Sequence, residues 1–193
     1  MDANHLPHLT PHGDELARTV MRRHMLAEWM LAKLLSWSKL HLEAHEFEHN
    51  ISDELEKALL KNLNEPETCP HGNPLPGHEA VVAGWVPLTQ LQKGDRAIIR
   101  RIHELAEEVP ELLAFLEQNR ISPGQEVNVS EVLPFNQTLT LEVKPVSSGN
   151  VDVEKVTLEF GITLGGEAGI PFITSGKAEG SVNVTVEFSP KKS

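Results

Sequence analysis

His41-Leu42-Glu43-Ala44-His45-Glu46-Phe47-Glu48-His49 places three imidazoles and three carboxylates within nine residues. Successive residues of a helix turn by about 100°, so side chains three or four positions apart share a face. On a helix His41, His45, Glu48 and His49 therefore form one stripe, while Glu43 and Glu46 point elsewhere. Mixed imidazole and carboxylate donors suit divalent ions such as iron(II), manganese(II), cobalt(II) or zinc(II), and the absence of cysteine from the stripe argues against a soft thiolate site. The competing interpretation is a solvated, charge-rich helical face, and four aligned ligand residues weigh against it.

The flanking sequence extends this helix into an α-helical unit. Before it, Pro11 suits a first helical turn behind a capping Thr10, and Leu16, Val20, Ala27, Leu31 and Leu34 recur at helical spacing up to about residue 35. His24 and Glu28, four apart, share another stripe, and their spacing alone fits a surface pair as well as a ligand pair. After it, Ser52 is a good cap with acidic Asp53 and Glu54 in the first turn, and Leu55, Leu59, Leu60 and Leu63 follow before Asn64 and Pro66 stop the helix. Three helices in about seventy residues have a limited core, so association through a leftover apolar face is expected.

Cys69-Pro70-His71-Gly72-Asn73-Pro74-Leu75-Pro76-Gly77-His78 is dense in turn formers and marks an ordered loop or boundary. Its Cys-x-His is a weak ligand signal by itself. Beyond Trp85, residues 96–102, 125–132 and 139–143 read as short strands, residues 110–119 as one helix, and Ile121-Ser122-Pro123-Gly124 as a turn. That order fits a small β-barrel of about sixty residues. A Ser-Ser-Gly-Asn linker at 147–150 precedes two further alternating stretches, Val156 with Leu158, Phe160, Ile162 and Leu164, and Val182 with Val184, Val186 and Phe188, separated by a small-residue segment at 165–180. The fold class these elements predict is α+β: an N-terminal α-helical unit, a small β-barrel and a C-terminal β extension.

Composition narrows the function. With 193 residues and 39% apolar content the chain is globular, in one compact domain or two small ones. No apolar run of about 18 residues could span a bilayer, and the histidine-rich polar start lacks the pattern of a secretory signal. A single cysteine, Cys69, allows no internal disulfide, so a cytoplasmic address is expected without membrane association. The formal charge of -11 opposes phosphate binding, since only Arg18, Arg22, Arg23 and residues 96–101 are locally basic. The same charge attracts divalent cations.

These residues carry a specific resemblance. Residues 9–143 resemble the metal-dependent regulators of the iron-dependent repressor family, the diphtheria toxin repressor and manganese regulator group. Leu9-Thr10-Pro11-His12-Gly13 resembles the end of the winged-helix wing, Met21-Arg22-Arg23-His24-Met25-Leu26-Ala27-Glu28 the linking helix, and Glu48-His49-Asn50-Ile51-Ser52-Asp53-Glu54 the ligand helix. Gly72-Asn73-Pro74-Leu75-Pro76-Gly77 is a strong family marker, and residues 87–143 are similar to the SH3-like domain related to ferrous-transport accessory proteins. The resemblance implies a wing remnant at 1–13, the helical metal-binding and dimerisation domain at 14–78 and the SH3-like domain at 85–146. Residues 151–189 follow a second resemblance, through Val156-Thr157-Leu158-Glu159-Phe160-Gly161 and Gly166-Glu167-Ala168-Gly169, to trypsin-co-occurring domains.

The family resemblance implies two neighbouring metal sites. His24, Glu28 and His41 match the helical ligands of the ancillary site, with Glu108 and Glu111 as candidates from the SH3-like domain. His45, Glu48 and His49 match the primary site, where His45 stands in place of the family's cysteine or carboxylate. The implied cofactor is iron(II) or manganese(II), with zinc(II) or cobalt(II) behind them, and the implied function is metal-dependent transcriptional regulation by a homodimer. The family's helix-turn-helix precedes the wing, so this sequence is expected to supply the metal-sensing and dimerisation part and to reach DNA only if a longer product or partner supplies a winged helix. The C-terminal extension is a candidate surface for a protein partner.

Two other classes compete. His45-Glu46-Phe47-Glu48-His49 satisfies His-Glu-x-x-His, in which two imidazoles hold zinc and Glu46 acts as general base of a hydrolase. Such an enzyme also needs a third ligand and a substrate cleft, and no downstream residue presents itself, so a non-enzyme is expected. The remaining alternative is a metal-independent protein-interaction module.

Overall fold

The computed structural model describes residues 8–134 and 138–143, together with the strand segments 154–159, 161–162, 168–171, 181–182 and 186–190. The expected linker at 147–150 and much of the segment at 165–180 lie outside the described residues. The chain divides into two compact units. Met1–Ser36, Leu40–Pro70 and Pro74–Val81 form the first, and Trp37–Lys39, His71–Asn73 and Val82–Ser193 the second.

The first unit is helical: α1 (Pro11–Leu31), α2 (Leu40–Glu48) and α3 (Asp53–Asn62). Thr10 caps α1 by accepting from the Gly13 amide at 3.1 Å, with Pro11 in the first turn, where its missing N–H costs nothing. Residues 11–13 therefore belong to this helix, not to a wing strand as the family resemblance implied. Ser52 caps α3 through the Leu55 amide at 3.2 Å, and Asp53, Glu54 and Glu56 put negative charge at the positive end of the helix. The chain leaves α3 through Asn64 and Glu65, both at positive φ, and the Glu65 amide returns to the Leu60 carbonyl at 2.8 Å.

The core of this unit gathers Met25, Leu26, Cys69 and Leu75, with Leu59 and Leu60 of α3 and Leu63 just after it packed against it. Trp29 ties the loop to α1 by donating its indole N–H to the Thr68 carbonyl at 2.7 Å. Arginine charges on α1 are answered locally. Arg22 and Arg23 both reach Glu56, at 2.5 and 2.8 Å, Arg23 also pairs with Asp53, and Arg18 pairs with Glu79 at 2.8 Å. These three α1 arginines are thus engaged within the protein.

The second unit is built on an antiparallel sheet of β1 (Val86–Pro87), β2 (Arg96–Ile102), β3 (Glu126–Leu133), β4 (Thr138–Val143) and β5 (Glu154–Glu159), with α4 (Glu104–Glu107) and α5 (Pro110–Gln118) between β2 and β3. It continues with β6 (Gly161–Ile162), β7 (Ala168–Pro171), β8 (Ser181–Val182) and β9 (Val186–Pro190). The spatial order is β1-β9-β2-β3-β4-β5, with β6-β7-β8 as a smaller three-stranded sheet. β9 lies between β1 and β2, pairing Ile99 with Phe188 and Ile102 with Val186. The C-terminal segment is therefore not only an appendage, because its last strand is part of the main sheet.

Strand alternation builds the core of this unit from Ala97, Ile99, Val127, Val129, Leu141 and Val143, covered by Leu112, Leu113 and Leu116 of α5. In β2 the alternation shifts between Ile99 and Arg101, where the register with β9 also shifts. This bulge at Arg100 lets Ile102 face the core, where simple alternation would have placed Arg101. The turn Trp37–Lys39 joins the same unit through Glu117, which accepts from the Trp37 amide at 2.8 Å and the Ser38 hydroxyl at 2.5 Å.

Candidate metal centre

Helical spacing in two segments brings the histidines together. His24 and Glu28 are one turn apart on the buried side of α1, and His41, His45 and Glu48 line the facing side of α2. The His24, His41 and His45 ring centroids lie 4.7, 4.6 and 4.8 Å apart, and one nitrogen from each ring falls within 4.8 Å of the others. His24 Nε2 is 3.0 Å from His41 Nδ1 and 3.5 Å from Glu28 Oε1, which in turn is 3.3 Å from His41 Nδ1. His24 Nδ1 turns the other way, to Glu48 Oε2 at 2.7 Å.

This set fits a divalent cation. Three imidazoles and two carboxylates, mostly withdrawn from water, offer borderline donors from two helices. Burial works against the charged form of His24, but the hydrogen bond and charge of Glu28 and the hydrogen bond of Glu48 outweigh it and raise the imidazole above its ordinary range.

His49 is largely exposed, with Nε2 3.3 Å from Glu48 Oε1, and does not join the three-ring cluster. Glu46 is exposed on the far side of α2. His45 thus faces His24 and His41 rather than forming a zinc pair with His49, and the hydrolase alternative is not favoured. Glu108 and Glu111 are exposed on the second unit.

The buried carboxylate of that segment is Glu107, one residue before the first candidate. Its Oε1 accepts from Asn73, whose amide also donates to the Ile102 carbonyl at 2.8 Å, and its Oε2 lies 3.7 Å from His71 Nδ1. His71 is fully buried, with Nε2 3.1 Å from the Trp37 carbonyl oxygen. Sequence reasoning singled out His71 only weakly and passed over Glu107. The available signal was the Gly72-Asn73-Pro74 marker, which predicted an ordered loop without showing what Asn73 holds.

Known proteins resemble this chain in sequence and in fold. Residues 10–77 match the iron dependent repressor metal binding and dimerisation domain. Residues 128–190 match trypsin-co-occurring domain 1, a span that begins within β3 rather than at residue 151. The chain is 33% identical to the iron-dependent repressor IdeR of Mycobacterium leprae (strain TN) over 169 residues, covering 77% of this chain and 73% of the relative. It is 33% identical to the diphtheria toxin repressor of Corynebacterium diphtheriae over 159 residues, covering 81% of this chain and 62% of the relative. Among solved structures, a manganese-dependent transcriptional repressor in complex with manganese superposes with a TM-score of 0.63 at 26% identity, covering 79% of this chain and 69% of the other. ScaR with bound zinc gives 0.59 at 27% identity, covering 79% and 72%. On the first of these relatives and on the helical domain at 10–77, the chain belongs to the iron-dependent repressor family and carries its metal binding and dimerisation domain.

Proposed function

We propose that this chain is the metal-sensing and dimer-forming part of an iron- or manganese-responsive transcriptional regulator, with His24, Glu28, His41, His45 and Glu48 forming the cation site. The observation that carries the reading is the convergence of His24 from α1 with His41 and His45 from α2, their ligand nitrogens within 4.8 Å of one another. A divalent ion held there would supply a fixed positive charge between donors of two helices. The protein's own residues do the rest: Glu28 and Glu48 balance that charge, and the packing of α1 on α2 sets the donor spacing.

The mechanism is linkage. A cation that binds one arrangement of the helical unit more tightly than another shifts the population toward it, by no more than the difference in binding free energy. Leu16, Leu34, Leu42, Phe47 and Leu55 expose apolar surface on this unit, which supports self-association. Arg18, Arg22 and Arg23 are engaged by Glu79, Asp53 and Glu56 and are not offered to phosphate, so operator binding would need a winged-helix domain. A cytoplasmic address follows from the transcriptional role, and no described helix is long and apolar enough to cross a membrane.

Sedimentation velocity under anaerobic conditions, with manganese(II) or iron(II) and then with a chelator, tests this reading. The dimer population should rise with metal and fall on chelation. Identical sedimentation in both conditions would remove the coupling between metal and dimer.

A further inference from the structure

We propose that Glu117 of α5 is a positioning residue for the cation site: its carboxylate caps the entry turn of the helix that carries His41, His45 and Glu48, and so governs how well they meet an ion without itself being a ligand. This rests on the metal-sensing reading above and concerns what holds α2 in place.

The helical run that carries the imidazoles starts outside the first unit. Trp37–Lys39 makes a single tight turn that runs straight into Leu40, and those residues belong to the second unit, whereas Leu40 onward belongs to the first. The first N–H groups of such a run have no partner within it, and a carboxylate placed there accepts a hydrogen bond and meets the positive end of the helix. Glu117 fills that place from a distant part of the chain. Its Oε1 accepts from the Trp37 amide at 2.8 Å and its Oε2 from the hydroxyl of buried Ser38 at 2.5 Å.

The same peptide is held on its other side. The Trp37 carbonyl oxygen lies 3.1 Å from His71 Nε2, the two rings stand 4.6 Å apart, and Trp37 packs against the apolar core of the second unit. His71 is itself fixed, because its carbonyl accepts from the Ile102 amide at 2.9 Å. Amide, carbonyl and side chain of Trp37 are therefore all engaged within the second unit. His41 comes one helical turn after Trp37, about 6 Å further along the axis at 1.5 Å per residue. A tilt of the entry turn reaches His41 directly, whereas His24 and Glu28 ride on α1, so displacement of α2 alone opens the donor set. The 3.0 Å between His24 Nε2 and His41 Nδ1 is the spacing such a tilt would change.

Manganese(II) binding is measured by calorimetry on the full chain, Glu117→Ala, Glu117→Gln, Ser38→Ala, the Ser38→Ala and Glu117→Ala pair, and Glu131→Ala, which removes an exposed carboxylate of the same unit. Circular dichroism is the fold control. Loss of a helix cap changes an equilibrium by roughly fivefold, so Glu117→Ala should bind manganese about fivefold more weakly and Ser38→Ala should lose about half as much. The pair should lose no more than Glu117→Ala alone, Glu117→Gln should recover most of the affinity because its amide oxygen still accepts, and Glu131→Ala should change nothing. Non-additivity and recovery separate a cap on the entry turn from a general loosening of α5. Unaltered affinity in a folded Glu117→Ala, or losses that add in the pair, overturns the positioning role while leaving the metal-sensing reading in place. Should Glu117→Ala not fold, Ser38→Ala decides, and unchanged affinity there overturns the proposal. Absence of manganese binding by the unaltered chain overturns both.

Discussion

His24 Nδ1 of α1 stands 2.7 Å from Glu48 Oε2 of α2, a buried contact between residues twenty-four apart that joins the two helices. Imidazole and carboxylate hold one another while His24 Nε2 faces His41 and Glu28. Glu46, two residues earlier on α2, faces solvent. Glu48→Gln should therefore weaken divalent metal binding about 10- to 100-fold, while Glu46→Gln leaves it nearly unchanged. Calorimetric titration of both variants checks this. A zinc hydrolase would show the reverse sensitivity, with Glu46→Gln abolishing turnover and retaining metal.

Acid should loosen the helical unit through its arginine-paired carboxylates. Burial raises the Glu56 carboxyl, but hydrogen bonds from Arg23 and Arg22 outweigh this and hold it below its ordinary 4.5. Glu79, held by the Gly77 amide, its own amide and then Arg18, is lowered to about 2. A carboxyl lowered in the folded state contributes stability above its unfolded value and loses it as pH falls through the folded one. Stability should decline from about pH 4.5 toward 2, and Glu56→Gln should flatten part of that decline. Urea unfolding across this range, followed by helical circular dichroism, measures it. An unchanged acid limb in Glu56→Gln would remove Glu56 from the account.

Gly72 has φ of +91°, and a Cβ there would meet the Arg100 carbonyl oxygen at 2.0 Å. The atom in the way is backbone at the β2 bulge, which a rotamer change cannot move. Gly72→Ala should cost about 3 kcal/mol in the second unit, combining positive-φ strain with overpacking. Thermal unfolding of that variant should show the loss, whereas Gly94→Ala, with φ of +92° and open space around its Cβ, should lose less.

The strand position of β9 predicts the effect of truncation. Ending the chain at residue 150 removes the strand that separates β1 from β2 and leaves the Ala97, Ile98, Ile99, Arg101 and Ile102 positions of β2 without that neighbour. The shortened chain should lose cooperative unfolding of the second unit, or aggregate through the opened edge. Hydrogen exchange in β2 compares the two chains directly. Unchanged protection after truncation would show that β9 is dispensable.

Much of this organisation is legible in local sequence. Thr10, Pro11 and Ser52 announce two helix starts by capping chemistry, and the nine-residue cluster gives the α2 stripe by periodicity alone. Alternation likewise reveals Val127 with Val129 and Leu141 with Val143. The burial of His24 and Glu28 is not legible this way, because their spacing is the same for a surface pair and only the packing of α1 against α2 distinguishes the two. Nor does spacing separate His45 from His49. Both lie on the expected stripe, but His45 meets the His24 ring of α1 while His49, just past the end of α2, turns outward. The position of β9 is a long-range pairing across more than eighty residues, for which local alternation carries no signal.

The most direct test of the central claim is the melting temperature of the full chain against free manganese(II) and iron(II), with a chelated control, in parallel with His24→Ala. Ligand that binds only the folded state stabilises it by about 2.7 kcal/mol at a hundredfold excess over the dissociation constant. The account predicts a metal-dependent rise in the unaltered chain that is absent from His24→Ala. Equal melting temperatures with metal and with chelator, at saturating concentrations, would contradict it.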